Sequence, residues 1–259
     1  MTNAGFHVER TGGVAVLTID RPKANAIDAA TSVRLGATFV DFEHDPEVRV
    51  VIVTGAGERF FSAGWDLSAA ADGEAFDSDY GAGGFGGFVD LPHRTVPVIV
   101  ALNGIAVGGG FEIAMAADFL IAADHAQCWL PEAALGILPD AGSVRLPRLI
   151  PPMIAREVLF GGRKLTAADL LRYGLANAVV PATELTDRAH ELARRIVASA
   201  PLSVAAILDI ERQTAPLDPI EAMSHIKSMT TYRSAIDSLD AIEGNDAYGE
   251  KRQPIWKGR

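Results

Sequence analysis

Two rhythms of apolar residues alternate along this chain. Short β-branched runs at residues 14–19 (VAVLTI), 48–54 (VRVVIVT), 96–102 (VPVIVAL), 119–122 (FLIA) and 178–180 (AVV) read as strands. Helix-period segments lie between them. Residues 28–42 open on Asp28 and carry Val33, Phe39 and Phe42 at helical spacing. Residues 111–117 form a short apolar helix behind three glycines, and residues 166–173 begin TAAD, a capping box with Asp169 at its third helical position. Gly174 marks the end of that helix. Strands alternating with helices predict a parallel α/β core. From about Thr183 the pattern is helical only, at residues 184–199, 202–213, 219–234 and 239–250. This predicts a C-terminal helical region that covers the core or makes subunit contacts.

One stretch fits neither rhythm. Residues 69–88 (AAADGEAFDSDYGAGGFGGF) are rich in Gly, Asp and Ala, the composition of a linker. Their aromatics, Phe76, Tyr80, Phe85 and Phe88, are too many for a plain linker and suggest a loop over a site.

Composition narrows the classes. The 259 residues suffice for one large domain, or a core with an appendage, and for a sizeable buried core. A net charge of −10 argues against a nucleic-acid surface. An anionic ligand must instead be met by local lysines, arginines or helix N-termini. The single cysteine, Cys128, leaves no partner for an intramolecular disulfide and fits a reducing compartment. The opening MTNAGFHVER has no basic region followed by an apolar stretch, so no signal peptide is expected. No apolar run approaches the roughly 20 residues of a membrane span. A cytoplasmic protein is expected. The histidines show no metal-ligand spacing, and no metal, flavin or nicotinamide motif is present.

Three segments carry candidate chemistry. In residues 107–118 (VGGGFEIAMAAD) a strand runs through glycines into a helix, with Glu112 in the first turn. Glycines let a ligand approach the backbone, and the helix start leaves unpaired N–H groups with a positive dipole end. Together these make an oxyanion site. Read alone, Glu112 is first of all a helix-start charge that the dipole favours. The FFSAGWDL stretch ending at Leu67 again places a small-residue turn after a strand. The third segment, residues 130–149, holds Glu132 after Pro131 and Asp140 after Pro139, each of which also reads as a helix or turn start.

With these motifs in order, the sequence resembles the crotonase, or enoyl-CoA hydratase/isomerase, superfamily over nearly its whole length. The resemblance rests on RPKANAID, SAGWDL, NGIAVGGGFEIAMAADF, PEAALGILPDAGSVRLPR and EKRQPIWKGR. It implies an α/β spiral of ββα units at residues 1–195 and a C-terminal helical trimerisation region at 196–259. It implies acyl-CoA thioester substrates, no separate cofactor, and a homotrimer or a hexamer built as a dimer of trimers. Nucleic acid and membrane are not expected as partners. The matched oxyanion donors are the amides of Trp65 and Gly109. The matched acid/base pair is Glu112 and Glu132, twenty positions apart. CoA contacts are expected from Lys23, Ala63, Asp66, Leu67 and Lys251. Asp140, eight residues after Glu132, matches an auxiliary acid that some relatives use for proton transfer or nucleophilic attack.

Within the superfamily, RPKANAIDA, GERFFSAGWDL, DSDYGAGGFGG and the tail DAIEGNDAYGEKRQPIWKGR are similar to the branch that reversibly dehydrates L-carnitinyl-CoA to crotonobetainyl-CoA. The quaternary ammonium of such a substrate suits an aromatic face; Trp65, Trp129, Tyr80, Phe85 and Phe88 are the candidates. General enoyl-CoA hydration, enoyl- or dienoyl-CoA isomerisation, and a non-catalytic RNA- or protein-binding role on the same scaffold are the rival readings.

Overall fold

The computed structural model describes residues 5–259. The first four residues, part of both the N-terminal reading and the 1–195 unit, lie outside the described residues. Among the described residues ten strands form in chain order: β1 (Phe6–Thr11), β2 (Val14–Ile19), β3 (Val50–Gly55), β4 (Phe60–Ser62), β5 (Val98–Leu102), β6 (Ile105–Val107), β7 (Phe119–Ala123), β8 (Gln127–Trp129), β9 (Leu165–Thr166) and β10 (Ala178–Val180). One sheet has the order β1-β2-β3-β5-β7-β10 and the other β4-β6-β8-β9. Strands β3, β5 and β7 of the first sheet are each followed by a three-residue strand of the second. A helix or loop then returns to the first sheet, so the chain climbs as a spiral of ββα units. Pairing is parallel throughout the first sheet except for the β1–β2 hairpin.

The apolar runs make strands buried on both faces. Val51 and Val53 of β3 point into the main core with Leu17, Val98, Val100, Phe61 and Phe111. Val50 and Ile52 point the other way, with Val14, Ile99 and Ile121, against Leu185, Ala189 and Ala193 of helix Leu185–Val197. Such double burial explains why these runs are continuous rather than alternating. Helix Leu185–Val197 thus belongs to the core's outer layer, and it runs across position 195.

Polar side chains fix the connections. Asp118 pairs with Arg94 at 2.8 Å and accepts from the Val98 N–H at 2.7 Å, seating the start of β5. Asn103 accepts from Gly55 N and donates to Gly57 O, which locks the β3–β4 turn to the β5–β6 turn. Buried Asn25 donates to Ala56 O and Phe60 O, and its carbonyl accepts from Ser62 Oγ. These bonds hold the end of β4 in place.

The long periodic segments form as expected. Asp28 caps helix Ala29–His44, and the Thr166/Asp169 capping box is complete. The expected helix at 219–234 is instead two, Pro219–His225 and Thr230–Ile236, because buried Met229 is extended (ψ 133°) between them. The start read at Asp140 opens helix Asp140–Leu149, whose period Pro147 masks, while helix Pro152–Gly161, with proline at its first position, is not among the predicted elements. Among the described residues no helix is long and apolar enough to cross a membrane.

Phe88 is 2% exposed and lies 4.6 Å from Phe39, so it is core rather than a ligand contact. Trp129 carries Lys164 over its ring at 4.4 Å. Phe88→Ala is expected to lower stability by about 3–5 kcal/mol, as other buried Phe truncations do. Its mark is a lower denaturation midpoint with an unchanged ratio of rates between two acyl substrates on the folded fraction.

Candidate active site

Strands β4 and β6 are parallel neighbours in the second sheet, so the turns that follow them leave side by side. One turn carries Gly64 and Trp65, the other Gly108 and Gly109. Gly64 has φ +80°, and a Cβ there would stand 2.6 Å from Val107 O and 2.8 Å from Gly109 N. Only glycine permits that approach. Gly108 has φ +54°, and a Cβ there would stand 2.5 Å from Glu132 Oε1. The missing side chains therefore bring one turn against the other, and the Glu132 carboxylate against the second turn.

The same geometry leaves two main-chain donors free. Ile27 pairs with Trp65 as a parallel bridge in which Ile27 N donates to Gly64 O and Asp66 N donates to Ile27 O. The Trp65 N–H stays outside this ladder. Gly109 opens helix Gly109–Ala116 and has no acceptor one turn earlier. Among the described residues neither N–H donates to another main-chain group.

Two carboxylates accompany them. Glu112, 8% exposed, lies in the first turn of helix Gly109–Ala116. Its Oε1 accepts from Gly142 N at 2.7 Å. Burial, reinforced by the charges of Glu132, Asp140 and Asp90 and opposed by the Gly142 bond, raises its pKa from the ordinary 4.5 to about 7. Glu132, 6% exposed, opens the short 3₁₀ helix Glu132–Leu135. Its Oε2 is buried without a hydrogen-bond partner, and burial raises its pKa as well.

A cavity of about 780 Å³ joins these groups. Its lining includes Trp65, Gly109, Glu112, Glu132 and Asp140, together with Lys23, Ala63, Asp66 and Leu67. Lys251 stands apart. It is the exposed left-handed residue that ends helix Leu239–Glu250, and it does not line the cavity. Of the aromatics, Trp65, Tyr80 and Phe85 border the cavity, along with Phe76.

Several site residues were silent in the sequence. Gly142, the donor to Glu112, reads there only as part of a turn. Glu74 accepts from the Trp65 indole N–H at 2.7 Å and from Ala29 N at 3.0 Å, tying the loop to the helix after Asp28. Arg21 bridges Asp28 and Asp66 at 2.6 and 3.0 Å. Nothing but the fold brings Glu74 to Ala29 or Arg21 to Asp66, each forty-five residues apart. Among the described residues no group of three or more His, Cys, Asp or Glu could hold a metal ion.

The sequence model of the enoyl-CoA hydratase/isomerase family matches residues 9–259. The chain belongs to that family. It is an enzyme of the hydratase/lyase type with the crotonase fold. A carnitinyl-CoA dehydratase of Escherichia coli O157:H7 is 53% identical over 98% of both chains. The crystal structure of an enoyl-CoA hydratase from Mycobacterium tuberculosis H37Rv superposes with a TM-score of 0.91 at 35% identity, covering 99% of this chain and all of that one. That of a carnitinyl-CoA hydratase from Mycobacterium avium gives 0.75 at 40% identity, with both chains fully covered.

The raised pKa of Glu112 sets a pH dependence of stability. The folded protein binds this proton more tightly than the unfolded chain. Below about pH 4.5 both states are protonated and there is no difference. Between there and about pH 7 the unfolded chain releases the proton first, so stability falls as pH rises. Above that window the loss is complete, at about 3 kcal/mol. Glu112→Gln is expected to flatten this slope in denaturation curves taken from pH 4.5 to 8.

Proposed function

We propose that the protein interconverts L-carnitinyl-CoA and crotonobetainyl-CoA. The observation that carries this reading is the sharing of one cavity by two free main-chain N–H groups and two buried carboxyls. The 53% identity to carnitinyl-CoA dehydratase supports the acyl group.

Elimination of water from a β-hydroxyacyl thioester removes an α-proton and expels the β-hydroxyl. As the α-proton leaves, charge builds on the thioester oxygen. The N–H groups of Trp65 and Gly109 stabilise that enolate; losing one such donor costs about 3–4 kcal/mol in comparable sites. Glu132, which borders the cavity, accepts the α-proton. Glu112, whose pKa lies near 7, protonates the departing hydroxyl, and water leaves. The C–O bond breaks as the α,β double bond forms. Exchange with solvent restores both carboxyls. Hydration runs the same steps in reverse. Gly142 orients Glu112 through its 2.7 Å bond. Lys23, Ala63, Asp66 and Leu67 hold the CoA portion along the same cavity, so the substrate brings its own carrier and no further cofactor takes part.

One observation favours a second reading. Asp140 also borders the cavity and is exposed. A third carboxyl there suits proton shuttling that migrates a double bond without adding water.

Residues 196–259 form the oligomerising region in this reading. Their exposed apolar side chains, among them Ile207, Ile220, Met223, Ile236 and Ile242, lie on helices after Leu185–Val197. Burial of these groups between copies favours a trimer or hexamer.

Glu112→Gln and Glu132→Gln are each expected to lower kcat for L-carnitinyl-CoA dehydration by at least about a hundredfold, in the range of general acid–base contributions. Near-native turnover in both would overturn the two-glutamate mechanism. Retained double-bond migration with no water exchange would favour the isomerase reading. Light scattering is expected to give three or six times the 27.4 kDa chain mass.

A further inference from the structure

The cavity is unbalanced in charge. Six of its lining residues are acidic, Asp66, Asp79, Asp90, Glu112, Glu132 and Asp140, against two basic ones, Arg21 and Lys23. Arg21 is occupied by Asp28 and Asp66. Among the described residues the other five acids have no side-chain cation within 4.0 Å. Glu132 adds a buried oxygen with no partner at all. A protein that wanted only two catalytic carboxyls would gain nothing from this surplus, because each further acid makes them harder to ionise.

Aromatic faces lie within the same region. Tyr80 and Phe85 meet edge to face, with ring centroids 5.4 Å apart and an interplanar angle of 79°. Phe85 packs directly on Gly109 and leaves no space there for a Cβ. The ring pair therefore begins beside the Gly109 N–H. Asp90 closes the loop from the other side. Its N–H donates to Gly83 O at 2.9 Å, and its carboxylate packs on Gly84, the residue before Phe85. Among the described residues Asp90 has no ion pair within 4.0 Å; its charge is felt at Glu112 and at Arg145, whose guanidinium donates to the neighbouring Val89 O at 2.7 Å. Tyr80 likewise sits in a field of carboxylates: burial, then Glu74, Asp140 and Asp77, push its phenol up to about 12.

We propose that Tyr80, Phe85 and Asp90 form a subsite for a quaternary ammonium on the acyl chain, one methylene beyond the carbon that carries the hydroxyl. The assignment rests on the dehydratase reading above and deepens it. A trimethylammonium group has no N–H to donate, so hydrogen bonding cannot select it. Ring faces and an unpaired carboxylate can. The nitrogen is two bonds from the carbon held between Glu112 and Glu132, so it reaches only groups next to them. Phe85 and Asp90 are such groups. Trp65 is less suited, because its indole N–H is tied to Glu74 and its ring meets Phe76 edge-on at 5.6 Å.

The test compares two substrates on each preparation: L-carnitinyl-CoA, and 3-hydroxy-5,5-dimethylhexanoyl-CoA, which carries a neutral tert-butyl group in place of the ammonium. The ratio of their kcat/KM values cancels any loss of folded enzyme. Wild type is expected to favour the cationic substrate by about tenfold or more, the scale of a partly desolvated cation–aromatic contact. Asp90→Asn and Tyr80→Leu are expected to shrink that ratio severalfold, chiefly through KM for the cation. Tyr80→Phe keeps the ring and is expected to keep the ratio. Equal losses on both substrates in Asp90→Asn and Tyr80→Leu would overturn the subsite and leave the dehydratase reading standing. Wild-type turnover of neither substrate would overturn the dehydratase reading itself, and the subsite with it.

Discussion

The site depends on the approach of two turns that only glycine allows. At Gly64 the backbone lies so near Val107 O and Gly109 N that no side chain fits. A methyl group there would force the β4 and β6 turns apart. The consequences reach beyond packing. With the turns in register, Ile27 satisfies Gly64 O and Asp66 N and passes over the N–H of Trp65. The helix start does the same for Gly109 by leaving it nothing to bond within the helix. Two donors stay unsatisfied beside a cavity, where buried main-chain groups are nearly always paired. The sheet hydrogen bonds and the Asn25 and Asn103 side chains hold this arrangement before any substrate arrives. Little reorganisation is then left for the moment when charge appears on a carbonyl oxygen.

The carboxylates work against stability in the same place. Burying Glu112 and Glu132 disfavours their charged forms, and their neighbours are mostly acidic. One bond, from Gly142, offsets part of the penalty at Glu112. At Glu132 Oε2 nothing does. A chain selected for stability alone would fill these positions with apolar residues, as it does at Phe111 and Ile113 on either side of Glu112. The two carboxyls therefore mark where folding has yielded to chemistry.

Much of this was legible in the residues themselves. The continuous apolar runs of β2, β3, β5 and β7 announce strands buried on both faces, and Asp28 and the Thr166/Asp169 pair announce helix starts. The glycine run before Glu112 announces a helix N-terminus open to a ligand. Less was legible where the signal is short or comes from far away. β4, β6 and β8 have three residues each, too few to show a period, yet they lead into the segments that carry Trp65, Gly109 and Glu132. Gly142 reaches Glu112 across thirty residues, and Glu74 reaches Ala29 across forty-five. No local pattern encodes such partners. Phe88 and Phe85 stand three positions apart in the same glycine-rich stretch, yet one is core and the other borders the cavity. Composition cannot separate them; the backbone path through Gly86 and Gly87 does.

The site divides its labour by the stiffness of its supports. The Trp65 and Gly109 amides and Glu112 sit at the ends of paired strands or in a buried helix, where neighbours on every side fix them. Phe76, Tyr80, Phe85 and Asp90 sit on a loop held by turns, by the Glu74 bonds and by the packing of Phe85 on Gly109. Changes on the loop alter one side of the cavity, and they leave the β4 and β6 turns in contact. A side chain at Gly64 or Gly108 does the opposite: it meets the β6 turn or Glu132 and disturbs the frame itself. Loops borne on a rigid frame are where recognition can vary at least expense to reaction. In the proposed reading the acyl tail is recognised from the loop, and the chemistry belongs to the strand ends.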